Sequence, residues 1–386
     1  MFEVFKVFLK LGCTSFGGPI AHLGYFHAEF VEKRKWLSES QYAQLLAICQ
    51  FLPGPASSQL GFAIGLSRAG WLGAIAAFVA FTLPSAVLLV LFAAFVHVLS
   101  GELGQALIHG LKIVALVIVA HGVLGMIRQL CPDHYRKSIA VLAAIILLLL
   151  GSASMQIVVV VLGGIAGLFL CKDALVSKDS ELPIAHGPRL GWLFIALFFA
   201  GLLLLPFLAD SDGGVMQLVD IFYRAGALVF GGGHVVLPLL EEGLVASSLV
   251  SADDFLAGYG ATQAVPGPMF AFSAYLGQIM GGPMYAVLAC LSVFLPGFLL
   301  LCGVLPLWKL IARGLYAPRV IAGVNAAVVG LLGAALYDPI FISAVKAPSD
   351  LAIALLGFSL IAVWKRSPLT VVAVCTLSSV SLALLT

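Results

Sequence analysis

Charge is scarce in this sequence. Lys, Arg, Asp and Glu make up 10% of its 386 residues, against roughly 25% in a soluble domain. With 62% hydrophobic residues, that scarcity excludes an ordinary soluble fold and points to an integral membrane protein. Residues 139–171 hold no charge at all, room for two passes at roughly 20 residues each. A net charge of +2 is too small and too scattered for a nucleic-acid footprint. No Cys-x-x-Cys pair exists among the seven cysteines, Cys13, Cys49, Cys131, Cys171, Cys290, Cys302 and Cys375. They read as small apolar residues, neither a disulfide framework nor a metal site. Also missing are a Gly-x-x-x-x-Gly-Lys-Ser/Thr nucleotide loop, metal-type His/Glu spacing, a Gly-x-Ser-x-Gly elbow and any cofactor motif. Neither enzyme activity, nor a cofactor, nor a bound metal is expected. The N-terminus MFEVFKVFLKLGC lacks the charged-apolar-small order of a cleaved leader and is expected to be retained.

What the sequence has instead is a matched set of interruptions. Apolar segments stop at Phe16-Gly17-Gly18-Pro19 and at Pro53-Gly54-Pro55, and the pattern returns at Phe230-Gly231-Gly232-Gly233 and Pro266-Gly267-Pro268. Gly12, Phe16, Gly17 and Gly18 meet Gly226, Phe230, Gly231 and Gly232 at an offset of 214 residues. Ser38, Gln50, Pro53, Gly54, Pro55 and Gly110 meet Ser251, Gln263, Pro266, Gly267, Pro268 and Gly323 at 213. Lys10 meets Arg224, so a base precedes both glycine-rich breaks. Ordered agreement of this extent marks an internal duplication. The expected organisation is a first repeat over 1–171, a polar connector with one extra membrane helix over 172–208, and a second repeat over 209–386.

Charge placement sets the orientation of the repeats. Lys and Arg mark cytoplasmic loops. Arg128, Arg136 and Lys137 place the 128–137 loop inside, and Lys172, Lys178 and Arg189 place the connector there. Lys309, Arg313 and Arg319 do the same for 307–319, and Lys365-Arg366 for the turn that follows. Expected spans are 71–98, 104–129, 136–152 and 155–171, then 283–306, 318–337, 350–364 and 367–385. These assignments close only if the two halves face opposite ways, with Asp210 and Asp212 outside. The expected fold is an all-α membrane protein with two homologous halves as an inverted repeat. Each half has two broken-helix hairpins followed by four spanning helices, an architecture found in secondary transporters.

Helix breakers inside membrane-like sequence are costly, because freed backbone groups need partners where there is no water. Matched breaks in two halves therefore point to a binding site. A helix that starts at a break presents unsatisfied N–H groups and the positive end of its dipole, a natural place for an anion. Glycine lets the backbone approach a ligand closely. The candidate substrate-binding residues are Gly17, Gly18, Gly54, Gly231, Gly232 and Gly267, with Ser15, Ser57, Ser58, Gln50 and Gln263 as neutral hydrogen-bonding groups. Lys10, His22, Arg224 and His234 would supply charge. Lys112, inside a span, is a functional candidate by its depth, or a side chain that snorkels to the interface. Its repeat counterpart is Asn325.

At these residues the chain resembles the chromate ion transporter (CHR) family. SFGGPIAHLGYFHAEFVEKRKWL, CQFLPGPASSQLGFAIGL and FTLPSA resemble its first-half signature, and FYRAGALVFGGGHVVLPLL and GYGATQAVPGPMFAFSAYLG its second. His27 and Gln41 stand where members often carry other polar residues. The resemblance covers both halves and implies a two-domain inner-membrane protein of bacterial or archaeal type that expels chromate and confers resistance. Chromate, with sulfate as a competitor, and the lipid bilayer are the implied partners. A homodimer is compatible with this reading.

Overall fold

The computed structural model describes residues 1–16, 18–96, 101–150, 153–172, 187–212, 214–230, 235–308 and 316–385, with no strand among them. The first half holds α1 Phe2–Thr14, α2 Gly18–His27, α3 Glu39–Phe51, α4 Ala56–Val96, α5 Glu102–Leu130, α6 His134–Leu150 and α7 Ala153–Leu170. Helix α2 runs on as the π-helical stretch Ala28–Lys33. After α8 Pro188–Asp212, the second half holds α9 Val215–Leu228, α10 Val236–Leu244, α11 Ala252–Thr262, α12 Phe272–Gly281 and α13 Pro283–Val304. It ends with α14 Ala317–Ala335, α15 Pro348–Ala362 and α16 Pro368–Leu385. Among the described residues, Ala56–Phe95, Glu102–Leu130, Pro188–Ala209, Pro283–Leu307 and Pro318–Ala344 are long and apolar enough to cross a membrane.

The halves correspond element for element once α4 is resolved into two arms. Ala69 and Gly70 leave helical geometry, with Gly70 at φ +63°. A Cβ on Gly65 would lie 2.4 Å from the Gly73 carbonyl oxygen. Eight residues of straight helix span about 12 Å, so arms 56–68 and 71–96 fold back on each other. In the second half the same turn falls at Gly282 (φ +84°) between α12 and α13, where a Cβ on Gly277 would likewise lie 2.4 Å from the Tyr285 carbonyl oxygen. Start signals repeat too. Ser38 caps α3 by accepting from the Gln41 N–H, and Ser251 caps α11 by accepting from the Asp254 N–H. Gln41 completes the first cap by accepting from the Ser38 N–H, while His27 bonds Glu39 at 2.9 Å.

Contacts at the helix ends show that the broken hairpins return to the face they left. Arg34 pairs with Glu3 at 3.0 Å and Arg68 with the same carboxylate at 3.7 Å. Both guanidinium groups lie over the Trp36 ring. The start of α1, the turn after α2 and the bend of α4 therefore share one face. Helix α1 covers only about 20 Å at 1.5 Å per residue, short of the roughly 30 Å hydrocarbon layer. Its inner end, and the Pro53-Gly54-Pro55 break after the equally long α3, lie within the layer.

Direction follows from helix pairs beyond the hairpins. Ser379 on α16 donates to the Ala106 carbonyl at 2.8 Å, and Gly110 abuts Cys375 and Thr376. Helices α5 and α16 are thus antiparallel. Gly163 abuts Gly323 and Ala327 while Gly167 abuts Arg319, so α7 and α14 are antiparallel as well. Successive spans α5, α6 and α7 alternate, which makes α7 point as α5 does and α14 point against it. Since α14 is the repeat partner of α5, the repeats are inverted. Following the chain this way gathers Arg34, Arg68, Arg128, Lys137, Arg319 and Arg366 at one face. Glu102, Glu241, Glu242, Asp253, Asp254 and Asp350 gather at the other, with Lys346 the exception. A cavity of about 280 Å³ at this acidic face is lined by Gln156, Glu241, Glu242 and Asp338 among others. Helix α8 packs through Gly191 on Gly303 and Gly201 on Tyr223, and leaves nearly all its apolar surface outward.

Candidate functional site

The breaks of one half are tied to helix ends of the other. The Gly267 N–H donates to the carbonyl of Ser15, the residue that ends α1, at 2.9 Å. The Gly54 N–H donates to the carbonyl of Val229, which ends α9, at 2.7 Å. Ser15 and Val229 are 214 residues apart, and Gly54 and Gly267 are 213 apart, so the two bonds are images of each other. A proline-glycine-proline turn can donate in this way only because glycine accepts a positive φ, here +117° at Gly54 and +102° at Gly267. Each bond also satisfies a backbone pair that has no water to turn to.

Around this crossing lie buried polar side chains whose atoms lack partners. They are Ser15 Oγ, His22 Nδ1, Ser58 Oγ, Gln59 Oε1, Thr82 Oγ1 and Gln263 Nε2. Contacts tie Ser15, His22, Gln59 and Thr82 to the breaks, and Ser58 and Gln263 each lie four residues along the chain from Gly54 and Gly267. His22 Nε2 lies 3.2 Å from the Ser15 carbonyl, with its ring edge-on to Phe81. Gln59 Nε2 donates to the carbonyls of Pro53 and Gly297, both at 2.9 Å. A Cβ on Gly267 would lie 2.8 Å from Ser85 Oγ, and Ser85 donates to the Thr82 carbonyl. An unpartnered buried polar group costs about 1–3 kcal/mol, and natural proteins tolerate few of them. Four of them, the hydroxyls of Ser15, Ser58 and Thr82 and the Gln263 amide, offer hydrogens in the membrane interior and suit a ligand rich in acceptor oxygens. Gln59 Oε1 accepts only, and His22 Nδ1 accepts in the neutral tautomer whose Nε2 donates to the Ser15 carbonyl.

The sequence candidates divide accordingly. Ser15, His22, Gly54, Ser57, Ser58, Gln263 and Gly267 lie at the crossing, and Gly18 (φ +74°) opens α2 beside Met269. Gln50, the counterpart of Gln263, is exposed on the last turn of α3. Lys10 is exposed on α1, and Arg224 pairs with the buried carboxylate of Asp220 one turn earlier. Gly17, Gly231, Gly232 and His234 lie outside the described residues. Thr82, Ser85 and Gly297 were not singled out in the sequence. The matched prolines beside them, Pro84 and Pro296, 212 residues apart, were the available signal.

The sequence profile of the family described as chromate transporter matches residues 2–168 and again 216–380. The chain is 29% identical over 372 residues to a probable chromate transport protein of Synechococcus elongatus, covering 94% of this chain and 90% of that protein. It is 25% identical over 379 residues to a chromate transport protein of Pseudomonas aeruginosa, covering 96% and 89%. With a protein of the same name from Cupriavidus metallidurans it shares 28% identity over 372 residues, covering 93% and 86%. No solved structure matches the chain. Two inverted halves, breaks that cross between them, and a profile that fits once to each half together place this multi-pass membrane protein in the chromate transporter family.

Proposed function

We propose that the protein exports chromate across the inner membrane and so confers resistance, as a secondary transporter whose halves expose one central site alternately to each side. The crossed pair of Gly54 and Gly267 bonds carries this reading. It makes the site the joint property of both halves, so rocking one half against the other moves its walls. Buried hydroxyl and amide groups can replace the water that a tetrahedral oxyanion gives up on entry. The basic face is read as cytoplasmic. Membrane potential is worth about 2.3 kcal/mol per charge per 100 mV, and a dianion leaving a negative interior gains roughly twice that. Export is electrically downhill and needs neither nucleotide nor an obligatory coupling ion. The relatives named as chromate transport proteins support the choice of substrate.

Hydroxyls and amides read oxygen atoms, not the atom they surround, so sulfate is the expected competitor. The same observation favours a second reading, sulfate uptake or an oxyanion channel. A homodimer is carried with the proposal, to be tested by the mass of the detergent-solubilised protein. Flux of labelled chromate and sulfate in proteoliposomes under an imposed potential decides between the readings. Saturable chromate efflux, faster with the interior negative and slowed by sulfate, is expected. Flux that never saturates means a channel, and sulfate flux without chromate flux removes the substrate.

A further inference from the structure

Lys112 lies on α5, 8% exposed, and its amine pairs with Asp253 in the first turn of α11. Asp253 is itself 71% exposed, and the pair bridges the two halves. Where α5 and α11 touch, a Cβ on Gly260 would lie 2.1 Å from the Leu111 carbonyl oxygen. The Lys112 backbone is therefore level with Gly260. Asp253 lies seven residues toward the acidic face, about 10 Å of helix, whereas Gln263 lies three residues toward the crossing, about 4.5 Å. On its flexible four-carbon stem, the amine is turned toward the more distant of these two groups. The nearer one, Gln263, is buried and has an unpartnered Nε2. In the other half the matched positions are Asn325 and Ser40, so this charge pair is not duplicated.

We propose that Lys112 is the mobile cation of the oxyanion site, held outward by Asp253 as seen here and turned inward to neutralise a dianion bound beside Gln263. The proposal rests on the oxyanion reading and deepens it by naming the side chain that would select for a double charge. A doubly charged oxyanion offers Lys112 more charge and more acceptor oxygens than one carboxylate does. Asp253, already in water, loses little when released. A monoanion offers no such surplus, so the exchange favours dianions.

Chromate flux through three variants tests this. Asp253→Asn should lower KM for chromate several-fold, because Lys112 no longer has to leave a carboxylate. Lys112→Gln should cut kcat/KM at least about tenfold, the scale of one nearby charge. The exchange Lys112→Asp with Asp253→Lys keeps a pair between the halves but removes the inner cation, and should stay inactive. Restored flux in the exchange variant would make the pair a brace and overturn the proposal. Should Lys112→Gln fail to accumulate, Asp253→Asn decides alone, since it leaves Lys112 in place. A second measurement does not depend on the ion carried. Gln263→Cys, in a chain with Cys13→Ser, is labelled with anionic and cationic methanethiosulfonate reagents. The anionic-to-cationic rate ratio should fall about tenfold with Lys112→Gln and rise with Asp253→Asn. An unmoved ratio overturns the role of Lys112 even where chromate is carried. The expected movement without chromate flux supports Lys112 and rejects chromate instead.

Discussion

Gly54 and Gly267 occupy matched positions, share a positive φ and donate to the same helix end of the opposite half. Their backing differs. A Cβ on Gly54 would lie 2.9 Å from Gln59 Nε2 and 3.0 Å from the Gly297 Cα, whereas one on Gly267 would lie 2.8 Å from the Ser85 hydroxyl with the nearest backbone atom, the Phe81 carbonyl oxygen, at 3.3 Å. The charges diverge further. Arg224 follows Asp220 by one turn, while its counterpart Lys10 follows Lys6. Duplication has kept the backbone course of the crossing in both halves and let the side chains around it take unequal roles. A symmetric crossing can therefore hold an asymmetric site.

The largest effect is expected where that backbone course is attacked. Gly54→Ala should cost about 2–3 kcal/mol through its forbidden φ, and chromate flux should fall below detection. Gly267→Ala should be milder, and adding Ser85→Ala should recover part of its loss, since the obstacle there is a side chain. Trimming Gln59 should relieve Gly54→Ala less, because the Gly297 backbone stays in the way at 3.0 Å. Thermal melts of the purified variants beside flux would check the ranking, and equal losses with no rescue would show that the halves are backed alike.

Charge comes next. Arg224→Gln removes one partner of the buried Asp220 carboxylate and should cost about 1–2 kcal/mol, below the figure for a fully buried pair because Arg224 is 42% exposed. Lys10→Gln, at an exposed position, should stay within about 0.5 kcal/mol. Melting temperatures at low and high salt would separate them, and the reverse order would move the important charge to the first half.

Smaller still are the matched caps. Ser38→Ala and Ser251→Ala should each cost about 1 kcal/mol, with Ser251→Ala the larger because its hydroxyl also donates to the Asp254 carboxylate, whereas the Ser38 N–H to Gln41 bond needs no side chain at Ser38. Denaturant titration in detergent would resolve the pair. No loss of function at all is expected from Lys346→Cys and Arg366→Cys, which should label from opposite sides of the membrane. Labelling from one side would contradict the inversion.

Much of this architecture was legible in the sequence because membrane helices obey few rules. Apolar length, Lys/Arg placement and the offsets of 213 and 214 residues were enough for the order of the elements, their inversion and the positions of the breaks. The turn at Gly70 falls next to the expected start of the 71–98 span. What the sequence could not give was partnership. Pro-Gly-Pro identifies a break but not which carbonyl its N–H will find, so the crossed bonds to Ser15 and Val229 became visible only in three dimensions. Lys10 and Arg224 match as bases in the sequence, yet Asp220, one helical turn away, engages only Arg224. Gln50 and Gln263 match in sequence but differ in exposure, because their two neighbourhoods are not copies.

The antiparallel seams of α5 with α16 and of α7 with α14 also bear on how the chain is made. Helix α5 is synthesised early, but α16, the helix that covers its Gly110 face, follows it by most of the second half. The first half must therefore wait in the bilayer with a glycine-lined surface open, and long-range closure of this kind is intrinsically slow. Removing only the final helix would unmake the half that was built first. Quality control that samples the waiting state is therefore in effect reading whether α16 has arrived.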